Sequence, residues 1–264
     1  MNCSHANFSL KRQCISEFIG TGLIIFFGSG VLAASKLTNI NFGQLDISII
    51  WGLGVSIGIY SSMKISGAHL NPAITITLYI FSNFNKKKVI PYIISQMLGS
   101  FTSTSLVYFL YYNLFNNFEN SHKIVRGTVE SLYLAAIFST YPNGHVSTLK
   151  SLIVEIVIAA IFMYVTMTLN DFNKTSYSSY SYLLTPLIIG SLIIVIGTSM
   201  GSLTSFALNP ARDLSPKIFM WLAGWGSISF TGGRDFPYFF IPLFGSLSGT
   251  IIGAFGYIRL TKLI

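Results

Sequence analysis

The sequence predicts an all-α membrane protein with six transmembrane helices and two re-entrant half-helices in an inverted repeat. The chain of 264 residues is 52% hydrophobic and only 9% charged, whereas a soluble domain carries roughly 25% charged residues. Its apolar residues gather in six long segments and two short ones. The tripeptide Asn-Pro-Ala also occurs twice, once in each half of the chain.

The six long segments are each close to the ~20 residues that cross a hydrocarbon core of about 30 Å. They are predicted at residues 15–34, 47–63, 89–111, 152–169, 183–200 and 238–257. Segments 71–81 and 209–222 are too short to cross, so we expect half-helices there. Segments 112–150 and 170–182 are polar and are predicted to be connections.

The two halves carry the same landmarks in the same order. Glu17 precedes Asn71 by 54 residues, and Glu155 precedes Asn209 by the same 54 residues. A Pro-Tyr pair followed by Gly-Ser recurs after each half-helix. Three spans per half is an odd number, so the halves must face opposite ways in the membrane. We expect one domain over residues 1–264, with repeats at about 13–111 and 151–258.

The charge pattern places both termini in the cytoplasm. Six crossings put the termini on one side, and the triplet Lys86-Lys87-Lys88 next to the third span marks that side as internal. With this topology nine basic residues are inside and seven outside, the outer ones being Lys36, Lys123, Arg126, Lys150, Arg212, Lys217 and Arg234. The net charge of +8 comes without a basic face, so no nucleic-acid partner is expected.

The repeated motif predicts two helix caps at mid-membrane. Asn is a preferred N-cap, and Pro is tolerated at the first helical position because its missing N–H needs no partner there. A helix N-terminus carries roughly half a positive charge, so two that meet would repel cations and protons. Each Asn amide could also donate to a passing hydroxyl or water. The motif residues are Asn71, Pro72, Ala73, Asn209, Pro210 and Ala211.

The segments that lead into the half-helices cannot themselves be helical. Their backbone carbonyls would be orphaned in lipid, so they must line a wet cavity. The candidates for this ladder of acceptors are Gly67, Ala68, His69, Thr204, Ser205 and Ala207. His69 has two interpretations that the sequence leaves open, a pore-lining residue or a neutral packing residue.

Four charged residues have candidate roles beside these loops. Glu17 and Glu155 lie within spans, where carboxylates often serve as proton relays. Their equivalent positions favour structural support instead, through acceptance of orphan N–H groups from the loops. Arg212 would donate to solute hydroxyls and exclude cations, while Asp213 would hold its loop or cap the first helical turn.

These motifs resemble the aquaporin, or major intrinsic protein, family, and within it the bacterial glycerol-facilitator branch of aquaglyceroporins. The resemblance covers nearly the whole chain. The Asp after the Arg, the extended loop and Trp51 are specific for the glycerol branch. The matching stretches read SGAHLNPAITI, MGSLTSFALNPARDLSPK, FGQLDISIIWGLGV, KKKVIPYIISQMLGS and WLAGWGSISFTGGRDFPYF.

The resemblance implies a passive channel for glycerol and similar small neutral solutes in the inner membrane. It further implies a homotetramer in which each protomer has its own pore, and it implies no cofactor and no metal. Trp51, Phe206 and Arg212 would form an outer constriction, and Gly197 matches the position where water-selective members carry a bulky His. The chain departs from the pattern at four serines that replace an expected Pro or Gly: Ser202, Ser205, Ser215 and Ser246.

Three alternatives remain at this stage. A water-selective pore would share the fold and differ at the constriction. A coupled secondary transporter would also have an inverted repeat, and Glu17 and Glu155 would then titrate during transport. An enzyme has little support, because the sequence shows no nucleophile–base pair, metal-ligand cluster or phosphate loop.

Overall fold

The computed structural model describes residues 8–175 and 179–263, with the side chains of 173–182 and 262–263 left aside. Six helices in this part of the chain are long and apolar enough to cross a membrane. In chain order the helices are α1 (Leu10–Leu37), α2 (Gln44–Ser62), α3 (Pro72–Phe81), α4 (Lys86–Leu110), α5 (Tyr112–His122), α6 (Leu132–Ala135), α7 (Thr148–Thr175), α8 (Ser179–Thr204), α9 (Pro210–Met220), α10 (Ile228–Thr231) and α11 (Phe240–Leu263).

The six predicted spans are confirmed as α1, α2, α4, α7, α8 and α11. Most of these helices extend several residues beyond the predicted limits, because hydropathy detects the apolar centre and not the capped ends. The Ser9 hydroxyl accepts from Arg12 N at 3.4 Å. Asn85 Oδ1 likewise accepts from Lys87 N at 2.9 Å, and α4 therefore begins within the lysine triplet. Polar caps of this kind satisfy N–H groups that have no helical partner.

The two short segments form α3 and α9, with 10 and 11 residues. At 1.5 Å per residue each is roughly 15 Å long, about half the hydrocarbon thickness. The second half-helix ends at Met220, two residues before the predicted limit. A tight turn over Trp221–Trp225 follows, in which Gly224 has a φ of 101° that favours glycine.

Close packing joins the long helices within each half, whereas the half-helices α3 and α9 each contact α4 from the first half and α11 from the second. Helix α1 packs against α2 and α4, and α7 packs against α8 and α11, while α2 and α8 join the halves. Glycines permit these approaches, as small residues do in membrane helices. A Cβ at Gly99 would collide with the Phe18 carbonyl, and one at Gly253 would collide with the Ala160 carbonyl.

The predicted connection 112–150 joins α4 to α7 and has more internal structure than its polarity indicates. The segment contains α5, a 3₁₀ turn at Val129–Ser131 and α6, and it builds a second buried core outside the main bundle. Phe115 and Phe138 stack with ring centroids 5.6 Å apart, and Trp225 packs edge-on against Phe115. Its polar residues raise the average polarity of the segment, although Phe115 and Phe138 are fully buried.

An arginine ties this outer core to the turn after α9. The Arg126 guanidinium lies 2.7 and 3.0 Å from the two Glu119 carboxylate oxygens. It also donates to the Ala223 carbonyl at 2.7 Å and lies 4.3 Å from the Trp225 ring centroid. Bidentate and cation–π contacts of this kind suit the planar guanidinium.

The predicted connection 170–182 joins α7 to α8 and is helical rather than a loop over the residues that the structure describes. Helix α7 continues to Thr175 and α8 begins at Ser179, so the described residues of this segment are helical. Serines and tyrosines lower its hydropathy without preventing the helix from continuing past the membrane. Residues 176–178 lie outside the described part of the chain.

A buried ion pair fastens α9 to residues 138–141, here called the outer strip. Lys217 Nζ lies 2.6 Å from Asp213 Oδ1, and the Lys217 side chain is 0% exposed. The same carboxylate oxygen accepts from Ser139 Oγ at 2.7 Å and from Thr140 N at 3.0 Å. The ammonium completes its bonding with Ser139 Oγ at 2.6 Å and the Thr140 carbonyl at 3.0 Å.

Lys217, which the sequence analysis counted in the outer set, is therefore a buried and paired base rather than an exposed one. Its charge is neutralised inside the protein by Asp213, one helical turn earlier. A paired and buried lysine does not act as a loop charge, because the positive-inside rule counts short-loop residues near the span ends.

The packing of α11 against α7 makes Gly253 intolerant of a side chain. A Cβ there would also lie 2.9 Å from the Ala160 carbonyl carbon, so we expect Gly253→Ala to destabilise the protein by ~1–3 kcal/mol. Gly256, on the same helix, has nothing within 4 Å of its Cβ position. Thermal unfolding in detergent should show a lower midpoint for Gly253→Ala only, and equal midpoints for both variants would contradict this packing.

The ion pair predicts a large effect of removing one charge. Lys217→Met leaves the Asp213 carboxylate unpaired in the interior, which we expect to cost about 3–5 kcal/mol. Denaturant unfolding of the purified protein measures this loss. Lys150→Met, at an exposed position on α7, is the matched control, and the double variant Asp213→Asn with Lys217→Met should recover part of the loss. A single Lys217→Met variant as stable as the control would refute the account.

Candidate functional site

A cavity of about 320 Å³ lies between the two halves of the chain. Its wall extends from Trp51 and Arg212 to Asn170 and Thr166 on α7, and it passes both half-helix caps. Aliphatic side chains such as Ile189 supply most of the remaining wall. The polar groups are therefore concentrated at a few points along an otherwise apolar passage, as is typical of small-molecule sites.

The two motif asparagines cap their helices and also bind each other's loops. Asn71 Oδ1 accepts from Ala73 N at 2.9 Å, and Asn209 Oδ1 accepts from Ala211 N at 2.9 Å. Each amide NH₂ then donates across the midline, Asn71 to the Leu208 carbonyl at 2.9 Å and Asn209 to the Leu70 carbonyl at 2.8 Å. An amide NH₂ has two hydrogens, so one donor remains on each side chain.

This reciprocal exchange between Asn71 and Asn209 was not foreseen from the sequence. One hydrogen of each amide bonds to the opposite loop, and the other stays available for the predicted donation to a solute. Pro72 and Pro210 begin the two helices as predicted. The motif alanines are also buried, which allows the two helix ends to approach.

The loops before the half-helices follow an unusual backbone path. Ala68 and Leu70 have φ values of 51° and 50°, and Phe206 and Leu208 have 38° and 57°. This left-handed region is rare for residues with a Cβ. Within the described residues, no hydrogen bond is accepted by the carbonyls of 67–69 or of 206–207, all of which belong to residues that line the cavity. Unpaired carbonyls beside a cavity are acceptors available to a solute.

The predicted ladder residues do not all reach the cavity. Gly67, Ala68, His69 and Ala207 line its wall. Thr204 instead ends α8, and Ser205 N still donates to the Gly201 carbonyl at 2.9 Å. Helix α8 therefore continues to Thr204. Neither Thr204 nor Ser205 lines the cavity.

The two intramembrane carboxylates hold the loops through equivalent contacts. Glu17 accepts from His69 N at 3.0 Å and Leu70 N at 2.7 Å. Glu155 accepts from Ala207 N and Leu208 N at 3.1 and 3.2 Å. Backbone N–H groups at this depth need partners inside the protein. These contacts are the ones that the predicted support role requires.

His69 combines the two interpretations that the sequence left open. It lines the cavity, and its ring packs between Phe84 and Tyr92 with centroids 4.4 and 5.2 Å away. Its Nδ1 lies 3.1 Å from Thr75 Oγ1. Gln96, which the sequence gave no reason to select, joins this network by donating to Glu17 at 2.8 Å and to Thr75 at 3.0 Å.

Three of the predicted constriction residues meet at one end of the cavity. The rings of Trp51 and Phe206 are 6.2 Å apart at an angle of 78°. The Arg212 guanidinium carbon lies 4.3 Å from the Trp51 ring centroid. Its Nη1 donates to the Phe138 carbonyl of the outer strip at 3.2 Å. Two aromatic faces and one fixed cation therefore border the same opening.

Glycines behind the aromatic rings set their positions. A Cβ at Gly197 would lie 2.7 Å from Ser48 Oγ and 3.0 Å from Phe206 Cζ. The Phe206 ring also packs on Gly201, and the Trp51 ring occupies the space beside Gly28. The role of Gly197 as a space-maker for Phe206 is thus visible here, while Gly28 and Gly201 could be found only from the fold.

The opening suits a small uncharged solute with one apolar and one polar side. The rings of Trp51 and Phe206 can contact CH groups, and Arg212 can donate to hydroxyl oxygens. The fixed positive charge opposes cation entry. No group of three or more His, Cys, Asp or Glu side chains that could hold a metal ion occurs among the described residues.

Comparisons with known proteins agree with this geometry. Residues 4–257 match the family model described as Major intrinsic protein. The Glycerol uptake facilitator protein of Escherichia coli K12 is 57% identical over 252 residues, which are 96% of this chain and 89% of that protein. The Propanediol uptake facilitator PduF of Citrobacter freundii is 50% identical over 94% of this chain and 91% of its own length.

The structural comparison gives the same result. The X-ray structure of the aquaglyceroporin from Plasmodium falciparum superposes with a TM-score of 0.84 and 31% sequence identity. The match covers 97% of this chain and 100% of that one. With its six spans, two capped half-helices and matching sequence, the chain belongs to the major intrinsic protein family.

Proposed function

We propose that this chain is a passive transmembrane channel for glycerol and similar small neutral solutes. Some water also passes, and ions and protons are excluded. The observation that carries the proposal is that the rings of Trp51 and Phe206, here called the aromatic wedge, border one opening together with the Arg212 guanidinium. Relatives named as glycerol and propanediol uptake facilitators, at 57% and 50% identity, support the same solute class.

At the outer constriction, a polyol meets two different surfaces. Its carbon backbone slides along the rings of Trp51 and Phe206, and its hydroxyl oxygens accept from Arg212. The solute exchanges bulk hydrogen bonds for these contacts one after another, so passage requires neither a tight complex nor an energy source. Gly197 supports selection for glycerol because a larger residue there would displace Phe206.

Deeper in the cavity, the loops and caps receive the solute. The unpaired carbonyls of residues 67–69 and 207 accept its hydroxyl hydrogens in sequence. The remaining amide hydrogens of Asn71 and Asn209 donate to a hydroxyl or water at the centre. The positive ends of α3 and α9 repel cations there, and a water that accepts from both amides cannot continue a proton wire.

The carboxylate contacts favour a channel over a coupled transporter or an enzyme. Both oxygens of Glu17 and of Glu155 accept backbone N–H groups. Protonation of either carboxyl would put a donor on an oxygen that now accepts from the backbone and would weaken its hold on the loop, so we assign these residues to structural support. Glycerol facilitators of this family are channels and not enzymes.

The topology and assembly complete the proposal. We place the protein in the inner membrane with both termini cytoplasmic, which the lysine triplet at the start of α4 supports. It forms one channel domain over residues 1–264, with repeats at about 13–111 and 151–258. A homotetramer with one pore in each protomer is consistent with a cavity enclosed by a single chain.

Stopped-flow light scattering on proteoliposomes tests the solute class. We expect reswelling in glycerol well above the lipid background, with 1,2-propanediol also permeant and no flux driven by a pH gradient. A water-selective pore would accelerate shrinkage without reswelling in glycerol. Uphill accumulation of glycerol under a pH gradient would indicate a coupled transporter, and either result would refute the proposal.

The constriction residues should control the ratio of glycerol to water permeation. Gly197→His fills the space beside Phe206, so we expect this ratio to fall about tenfold, as an added barrier of ~1.4 kcal/mol would cause. Phe206→Ala widens the opening and should reduce discrimination among polyols. Phe109→Ala, at a side chain that is 74% exposed on α4, is the control. An unchanged glycerol-to-water ratio in Gly197→His, together with unchanged discrimination among polyols in Phe206→Ala, would exclude these residues from selection.

A further inference from the structure

The outer strip contacts the second half of the chain through consecutive residues. Each of its four positions bonds to a different part of the region around α9 and the loop before it. The contacts are Phe138 O with Arg212, Ser139 Oγ with Asp213, Thr140 O with Lys217, and Tyr141 O with Ser205. The strip therefore forms a backing for the constriction, although it lies more than 60 residues away in sequence.

Of the residues that the outer strip contacts, Ser205 directly precedes Phe206 of the aromatic wedge. Its hydroxyl donates to the Tyr141 carbonyl at 3.1 Å, and its N–H donates to the Gly201 carbonyl at 2.9 Å. The residue is half-buried and has a φ of 62°. Because both its backbone and its side chain are fixed, the direction in which the chain enters Phe206 is fixed as well.

The other end of this contact is also held firmly. The Tyr141 hydroxyl donates to the Ser229 carbonyl at 2.9 Å, and Lys217 Nζ lies 4.6 Å from its ring centroid. Burial, and then the nearby Asp213 carboxylate, raises the pKa of Tyr141 well above its ordinary value, so the hydroxyl keeps the proton that it donates. Asn143 N donates to the Leu203 carbonyl at 2.9 Å and holds the strip against the end of α8.

A serine here has a cost that a glycine would avoid. The left-handed conformation is open to glycine without steric penalty, whereas residues with a Cβ rarely adopt it. The family pattern leads us to expect Pro or Gly at the positions of the departing serines. Ser205 accepts the less favourable backbone and gains a hydrogen bond that glycine cannot make. That exchange points to a positioning role for its hydroxyl.

We propose that Ser205 is a positioning residue that determines specificity through its tether to the Tyr141 carbonyl. The tether fixes the Phe206 wall of the constriction opposite Trp51, and so sets the largest polyol that passes. This inference rests on the proposed channel function. It assigns a selective effect to a residue that does not itself line the cavity.

The ratio of xylitol to glycerol flux in the same proteoliposomes tests the tether. A ratio measured in one vesicle preparation cancels differences in the amount of folded protein. We expect Ser205→Ala and Ser205→Gly each to raise the xylitol-to-glycerol ratio by about fivefold. The loss of one neutral hydrogen bond changes an equilibrium by about this factor. Ser202→Ala, at an exposed position three residues earlier, is the matched control and should leave the ratio unchanged.

A second variant loosens the other end of the tether. Tyr141→Phe removes the bond to the Ser229 carbonyl and should shift the ratio in the same direction by a smaller factor. If all variants keep the parent ratio while glycerol flux persists, the tether is wrong and the channel proposal stands. A rise in Ser205→Gly alone would assign the effect to backbone relief and also overturn the tether. A parent protein that passes no glycerol refutes the channel itself.

Discussion

A peptide group that lies outside a helix at membrane depth has to find its hydrogen-bond partner within the protein or in a wet cavity. Two loops of this chain meet that requirement in the same way. Glu17 and Glu155 accept their N–H groups, and the motif asparagines donate to one carbonyl in the opposite loop. The carbonyls left over border the cavity. The groups that stabilise the fold and those that would receive a solute are thus parts of one backbone path.

The second half of this path is supported from outside the main bundle. The outer strip bonds to residues on α9 and before it, while Arg126 ties the outer core to the turn that follows α9. Hydroxyl-to-carbonyl bonds, a buried ion pair and cation–π contacts act together over a short distance. Because they share residues, their contributions to stability are coupled and do not add independently.

Much of this could be predicted because the length and hydropathy of a segment identify a membrane helix. The Asn-Pro pair likewise identifies a capped half-helix. Trp51, Phe206 and Arg212 followed from family resemblance. The features that could not be predicted depend on contacts between residues far apart in the sequence. Lys217 finds its buried partners only when the fold brings Ser139 and Thr140 to it. The 112–150 segment appears polar because average hydropathy ignores which of its aromatic residues are buried.

The reciprocal asparagine bonds also bear on how the protein is made. Asn71 and its acceptor, the Leu208 carbonyl, are 137 residues apart, and the opposite pair is 139 residues apart. At the rate of ribosomal synthesis, the loop that contains Leu208 and Asn209 is made on the order of ten seconds after the first half-helix. During that interval the Asn71 amide and the Leu70 carbonyl lack these hydrogen-bond partners. Insertion of the early spans therefore precedes completion of the membrane centre, which becomes a late event in biogenesis.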